Sequence, residues 1–364
     1  MPGVYLSWPF CGQKCTYCNF ASGVLPREWE PRYEAALRAE MAAFAWAWTP
    51  ETVYLGGGSP SRMPAEALKR LLAAIPGRPW REATLEAAPG EVTAELAQAW
   101  RAAGINRVSL GTQSFVEAEL RRTGRRHTPE GAAADVATLR AAGIDEINLD
   151  LICGLPGQTR DSWEASLDWI ARLGVPHVSV YLLEVDEDSR LGLEILNNGA
   201  RYGAGEVPDD ELQVELYERA VERLGEIGIE RYEISNFARA GSESRHNLKY
   251  WRREEYAGFG ADAHACLGGQ RRQNAEDVRE YVAALESGRS PVTEESPADP
   301  AAERFFVGLR LASGVEVTAE DDEEYGERFR RLMRDGLLER ADTRVRLTPR
   351  GVLLSNEVFQ EFLV

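Results

Sequence analysis

Short runs of β-branched and apolar residues alternate with longer amphipathic stretches over the first two-thirds of the chain. Strands are expected at Val4–Trp8, Thr52–Leu55, Thr84–Ala87, Arg107–Leu110, Glu146–Ile152, Val178–Leu183 and Tyr232–Ser235. Helical patterns fill the intervals at Pro31–Ala45, Ala65–Ala74, Thr93–Ala103, Gly131–Ala142, Thr159–Leu173 and Asp209–Ile227. In the last of these, Leu212, Leu216, Ala220 and Leu224 recur every four residues, which lays one apolar stripe against a sheet. Repeated βα units predict a parallel sheet with helices outside it. Six or so repeats suggest a partial or complete barrel, although the pattern alone does not separate that from an open doubly wound sheet. In either architecture ligands gather at the C-terminal ends of the strands.

The rhythm breaks after about Ala240. Arg245 to Gly269, rich in aromatics, His and Gly, reads as an irregular segment, and "SGRSPVTEESPADP", with three prolines, as a linker. Beyond it, helices near Ala301–Leu311 and Asp322–Asp335, a hairpin in "GLLERADTRVRLTPRG" and a closing helix at Val352–Phe362 predict a small winged-helix-like unit. The acidic run Glu320–Glu324 reads as a solvated helix start, favoured by the helix dipole. The expected divisions are therefore 1–240, 241–290 and 291–364.

Composition narrows the function. Of 364 residues, 44% are hydrophobic and 28% charged, as in an ordinary globular protein. "MPGVYLSWPF" has no basic start, apolar core or cleavage site of a secretory signal, and the most apolar stretch, "AAFAWAW", is far too short to span a membrane. A cytoplasmic protein is expected, and in that reducing compartment cysteines serve as metal ligands or reactive thiols. A net charge of −17 opposes a nucleic-acid partner, which requires many phosphate-neutralising cations. The basic patch Arg121-Arg122-Thr123-Gly124-Arg125-Arg126 still offers a place for a smaller anion.

Three of the five cysteines lie in "PFCGQKCTYCNF": Cys11, Cys15 and Cys18. A structural zinc ion needs four ligands, and no further Cys or His precedes His127. A [4Fe–4S] cluster held by three thiolates explains the missing fourth, because the open iron becomes the working position. Other polar residues stand where the expected strands end. Gly56-Gly57-Gly58-Ser59-Pro60 follows the second, Glu86 ends the third, Gln113 follows the fourth with Arg125 twelve residues on, and Asp150 lies on the fifth. A lone glycine run reads as a tight turn. A carboxylate, an amide and a guanidinium together suit a ligand with ribose, amine and carboxylate groups.

The spacing C-x3-C-x2-C just after a first strand resembles that of the radical SAM enzymes. There the open iron is chelated by S-adenosylmethionine (SAM), which an electron cleaves to methionine and a 5′-deoxyadenosyl radical. "VYLSWPFCGQKCTYCNF", "GGGSPS", "LGTQSF", "LRRTGRRH", "LDLICGLPGQT" and "RHNLKYW" resemble, over nearly the whole chain, the coproporphyrinogen III dehydrogenase-like (HemN/HemW) branch. The resemblance implies a partial (βα)6 barrel with a small C-terminal domain. By matching positions it implies Tyr5, Tyr17, Gly57, Gly58, Ser59, Glu86, Gln113, Arg125 and Asp150 around cluster and SAM. The chain departs from the family pattern at Ser7, where a histidine is usual, at Ala88, where the family has Asn, and at Ser59, where it has Thr.

Within the branch three features favour the haem-chaperone group over the decarboxylating dehydrogenase. Phe20 stands where the dehydrogenase carries a further cysteine, its N-terminal extension is absent, and His246-Asn247-Leu248-Lys249-Tyr250-Trp251 matches the chaperone motif HNxxYW. The resemblance thus implies haem as ligand, haem-accepting proteins as partners, and an electron donor such as a flavodoxin if SAM is cleaved. His246 is the expected haem contact, with Tyr250 and Trp251 offering flat faces and His264 a second candidate. His127 and His177 are expected to serve structure, and Cys153 and Cys266 to pack inertly.

Overall fold

A computed structural model of the chain describes residues 1–363; Val364, the end of the expected C-terminal unit, lies outside the described residues. Six βα units come first. They are β1 (Gly3–Trp8) and α1 (Trp29–Ala43), β2 (Thr52–Gly57) and α2 (Ala65–Ala73), and β3 (Glu82–Ala87) and α3 (Ala94–Ala103). Next come β4 (Arg107–Gln113) with α4 (Glu117–Arg122) and α5 (Pro129–Ala141), then β5 (Glu146–Cys153) with α6 (Arg160–Leu173). The sixth is β6 (His177–Leu182) with α7 (Arg190–Leu196) and α8 (Asp210–Glu226). Threonine, serine or aspartate caps most of these helices: Thr159 makes a reciprocal capping box with Ser162, and Asp209 holds the N-terminus of α8.

β1 to β6 are parallel and neighbours in chain order, and the sheet does not close on itself. The result is an open, partial α/β barrel. Side chains of a strand alternate between its two faces. Val4, Leu6, Val53, Leu55, Leu85, Val108, Leu110, Ile147, Leu149 and Val178 point outward into one core shared with the helices. The inner face carries Thr52, Glu82, Thr84, Arg107, Ser109, Asn148, His177 and Ser179, all buried. Parallel strands covered on both sides are normally apolar throughout. A buried polar face therefore has to find partners within the barrel or in a ligand.

The region expected to be irregular is instead ordered. After β7 (Glu230–Arg231) and β8 (Asn236–Ala238), the chain forms α9 (Arg245–Trp251), β9 (Tyr256–Phe259), β10 (His264–Leu267) and β11 (Gln270–Asn274). α10 (Val278–Glu286) and β12 (Val292–Pro297) follow. β9 pairs in parallel with β1, Gly3 against Tyr256, and β10, β11 and β12 extend the same sheet antiparallel. The supposed linker contains β12, an edge strand with proline only at its end, where no ladder donor is needed. The strand expected at Tyr232–Ser235 is a connection between β7 and β8. Glu233 accepts from Ser235 N and Asn236 Nδ2, and these local bonds turn the backbone out of the ladder.

The C-terminal unit runs α11 (Pro300–Phe306), β13 (Val315–Glu316), α12 (Ala319–Arg334), β14 (Leu338–Ala341), β15 (Arg344–Leu347), α13 (Pro349–Leu353) and α14 (Ser355–Gln360). Helices and a three-stranded wing pack round Phe305, Tyr325, Phe329 and Phe362. The single closing helix expected at Val352–Phe362 is divided at Leu354 between α13 and α14. No helix of the described residues is long and apolar enough to cross a membrane.

Candidate cofactor site at the mouth of the barrel

The cysteine loop leaves the C-terminal end of β1 and is pinned on three sides. Cys11 N donates to Gly23 O at 2.9 Å, Thr16 N to Thr123 O at 3.1 Å, and Leu191 N to Thr16 O at 2.8 Å. Cys11, Cys15 and Cys18 are free and half-buried. Among the described residues no three Cys, His, Asp or Glu side chains are gathered closely enough to hold one metal ion.

Beside this loop the glycine run does more than turn. Gly58 N donates to Trp8 O and Ser59 N to Phe10 O, and a Cβ on Gly58 would lie 2.8 Å from Phe10 O. Only glycine lets the two backbones approach so closely. Gly57 N donates to Glu86 Oε2 at 3.2 Å, and the Tyr54 hydroxyl donates to Oε1 at 2.9 Å. Burial, with the neighbouring Asp150 charge, pushes Glu86 up to about 7. Tyr5 stacks on Tyr54 with ring centroids 6.1 Å apart. Asp150 accepts from Asn148 Nδ2 at 2.7 Å and from Ser109 at 3.4 Å, and burial raises it too.

Gln113 ends β4 with φ +65°, a left-handed conformation in a non-glycine residue, and its buried Oε1 has no partner. Arg125 donates through Nη1 to Gly111 O at 2.5 Å and through Nε and Nη2 to the Tyr17 hydroxyl at 3.3 Å. The structure thus gathers Tyr5, Tyr17, Gly57, Gly58, Ser59, Glu86, Gln113, Arg125 and Asp150 around the inner ends of the strands behind the cysteines. A strained residue presenting an orphaned acceptor, two carboxylates and a guanidinium fit a zwitterionic ligand with hydroxyl groups. Tyr54, Ser109 and Asn148 belong to the same network. The period-two alternation of polar residues on β2, β4 and β5 was the signal that could have found them.

The HNxxYW motif lies at the other end of the barrel. α9 seals the floor, where the strands begin. Glu82 accepts from Arg245 N and His246 N at 2.9 Å each, and Lys249 Nζ is shared by Glu51, Glu254 and Met1 O. His246 is wholly buried, with Nδ1 bonded to the Thr52 hydroxyl and Nε2 to the Tyr250 hydroxyl, both at 2.8 Å. Tyr250 meets Tyr256 edge-on at 4.6 Å, and the Arg310 guanidinium covers Trp251 at 4.3 Å. In this structure both His246 ring nitrogens are bonded within the protein, Tyr250 packs against Tyr256 and Arg310 lies over Trp251, so the motif ties α9 to the start of the strands. His177 is held likewise between Asn148 and Tyr232. His127 is partly buried, and His264 on β10 is exposed.

Residues 5–170 match the Radical SAM superfamily and residues 296–354 the HemN C-terminal domain. A curated relative in Bacillus subtilis, Heme chaperone HemW, is 35% identical over 100% of this chain and 99% of its own length. A Heme chaperone HemW of Mycobacterium tuberculosis is 37% identical over 99% of this chain and 94% of its own. Among solved structures, the coproporphyrinogen III oxidase HemN of Escherichia coli superposes with a TM-score of 0.84 at 20% identity, covering 99% of this chain and 90% of that one. At that identity the likeness speaks for the fold.

Proposed function

The chain belongs to the radical SAM superfamily and, within it, to the family of the heme chaperone HemW, and from this premise we propose that it binds haem and passes it to acceptor proteins. The observation that carries this reading is the end-to-end match to a curated haem chaperone, 35% identical over the whole chain. Phe20 supports it. It follows the cysteine loop, is 67% exposed, and occupies the position where the decarboxylating dehydrogenases carry a further cysteine.

In this reading Cys11, Cys15 and Cys18 hold a [4Fe–4S] cluster, which when bound supplies the single electron that cleaves SAM. The chain's own residues bind and orient. Gln113 Oε1 and the Glu86 and Asp150 carboxylates would accept from the amine and ribose hydroxyls of SAM, and Arg125, fixed by Tyr17 and Gly111 O, would hold its carboxylate. Tyr54 holds Glu86 in place. If SAM is cleaved, electrons come from a donor such as a flavodoxin, and the protein works in the cytoplasm.

The test is one anaerobic incubation of the cluster-reconstituted protein with SAM, a strong reductant and coproporphyrinogen III, read by mass spectrometry. The expected tetrapyrrole is unchanged. Loss of two of its carboxyl groups would make the chain a coproporphyrinogen dehydrogenase in spite of Phe20.

A further inference from the structure

The seam between α9 and the C-terminal unit contains two donors that the hydrogen-bond network of the floor leaves over. Trp251 Nε1 and Arg310 Nε are buried and have no partner among the described residues. They belong to one contact, in which the Arg310 guanidinium lies 4.3 Å above the centre of the Trp251 ring. Buried donors without acceptors are rare in folded proteins and ask for a cause. Stacking accounts for the place of the guanidinium but uses neither N–H, since each lies in its own plane.

Arg310 is held differently from nearby arginines. Arg340 grips Asp322 with two nitrogens at 2.9 and 2.8 Å, and Arg304 reaches both oxygens of Asp321 at 2.9 and 2.8 Å. Across the seam, Arg271 on β11 forks onto Glu303 with two bonds of 2.6 Å. Arg310 has only Nη2 on Glu233 Oε2, at 3.4 Å, among the described residues. Glu233 is satisfied without it, because its Oε1 takes Ser235 N and Asn236 Nδ2. A planar fork that suits a carboxylate edge-on is here laid flat on an indole.

The backbone at this point is fixed, and only the side chain is loosely held. Leu311 bridges to Glu233, and Ala312 N donates to Tyr232 O at 2.9 Å. The Arg310 side chain is 28% exposed and Trp251 is partly exposed, so the seam reaches the surface. Rotation of this one side chain bares the indole without moving either unit. Beside Trp251 stands Tyr250, ring centroids 6.3 Å apart, whose hydroxyl is bonded to His246. The bared face therefore adjoins the rest of the HNxxYW motif.

We propose that Arg310 is a two-position gate on the motif: a flat aromatic ligand bearing carboxylates draws the guanidinium off Trp251 into a carboxylate pair and takes its place on the indole. The proposal rests on the haem-carrier reading above, in which the ligand is haem and the carboxylates are its propionates. The exchange keeps a flat partner on the indole and gives the guanidinium the two-nitrogen pairing that Glu233 does not supply. It also brings both orphaned N–H groups within reach of an acceptor. A ring without carboxylates offers the guanidinium nothing and has to displace the cation–π contact unaided. The gate thus selects for the acid groups as well as for the ring.

The experiment titrates the full-length, cluster-reconstituted protein with haemin and, in parallel, with haemin dimethyl ester, whose propionates are blocked. Binding is followed at the Soret band. Wild type is expected to favour haemin over the ester roughly tenfold or more, the effect of one charge-assisted pair. Arg310→Ala should bind the two alike, and should bind the ester about three- to tenfold more tightly than wild type because the cover is gone. Without haem, acrylamide quenching reads that cover; with nine tryptophans in the chain, it is taken as the difference from Trp251→Phe. Arg310→Ala should raise it. Arg310→Met keeps an apolar cover and removes the charge, so the preference for haemin should vanish while Trp251 stays shielded; this variant decides if Arg310→Ala unfolds the seam. Arg340→Ala, in the same unit, should keep the wild-type preference. A preference for haemin that survives in the Arg310 variants would overturn the gate, as would equal binding of haemin and ester by wild type. No haem uptake by wild type would overturn the haem-carrier reading, and the gate with it.

Discussion

The mouth and the floor of this barrel are built from the same six strands and the same kinds of side chain, yet they end in opposite states. At the floor the central polar groups are satisfied, with Trp251 Nε1 the one orphan of the motif among the described residues: His246 uses both ring nitrogens, Glu82 takes two backbone donors, and Lys249 has three acceptors. At the mouth the sulfurs are half-exposed, Gln113 presents an unpartnered acceptor from a strained backbone, and two buried carboxylates are crowded together. Satisfied polar groups hold a fold together, whereas unsatisfied ones in an otherwise well-packed protein await a ligand. Motif matching ranks both ends alike; hydrogen-bond accounting separates them.

The sharpest way to break this contrast is at the mouth. Cys15→Ala should abolish iron and sulfide incorporation while moving the melting temperature of the apo-protein by no more than a few degrees, because Cys15 is only half-buried. A large loss of apo stability would mean that the loop is structural.

His246→Ala should do the reverse. It leaves the Thr52 and Tyr250 hydroxyls buried without their partner and opens a cavity, costing roughly 2–4 kcal/mol by denaturant melt, with cluster incorporation intact at low denaturant. Haem affinity lost without a stability change would mark the motif as a direct ligand site.

The two ends also respond to pH with opposite sign. Burial holds His246 at about 3, so between that value and the ordinary ~6.5 the unfolded chain binds a proton that the folded one refuses. The floor's contribution is therefore complete above ~6.5 and drains away as pH falls toward 3. Glu86, pushed up to about 7, keeps a proton in the folded apo-protein that the unfolded chain has released above ~4.5. Its effect weakens the fold as pH rises from 4.5 to 7. Glu86→Gln should consequently stabilise the apo-protein at pH 8 by on the order of 1–3 kcal/mol, with little change at pH 4. Chemical denaturation at both values checks the sign, and equal shifts at both would contradict it.

The smallest expected effect is at Gln113. Replacing it by Gly relieves the left-handed strain but adds chain entropy, so apo stability should stay within about 1 kcal/mol of wild type. SAM affinity, measured by calorimetry on the reconstituted protein, should fall. A stability loss well above that figure would show that the amide serves the fold.

The strand framework around the mouth was legible because its signals are local. Three cysteines sit within one loop, and each strand announces itself by a short apolar run ending in a polar residue. The floor was not, because its meaning depends on partners far along the chain. Nothing near His246 in sequence shows that Thr52 and Glu82 receive it, so a helix of seven residues amid aromatics reads as irregular. β9 is only four residues long and its pairing with β1 spans some 250 positions. The proline-flanked β12 was hidden by composition, since prolines that disqualify an inner strand are harmless at an edge.

The tie between β1 and β9 also sets an order of events in synthesis. Gly3, Thr52 and Glu82 leave the ribosome long before the residues that seal them, His246 and Tyr256. At ~5–20 residues per second, the nascent barrel spends on the order of ten seconds or more with its first strands made and its floor open. The cysteine loop is already outside during that interval. Residues 11–18 are thus made while the polar interior still lacks the segment that covers it from below, and α9 is a late-synthesised part of that cover.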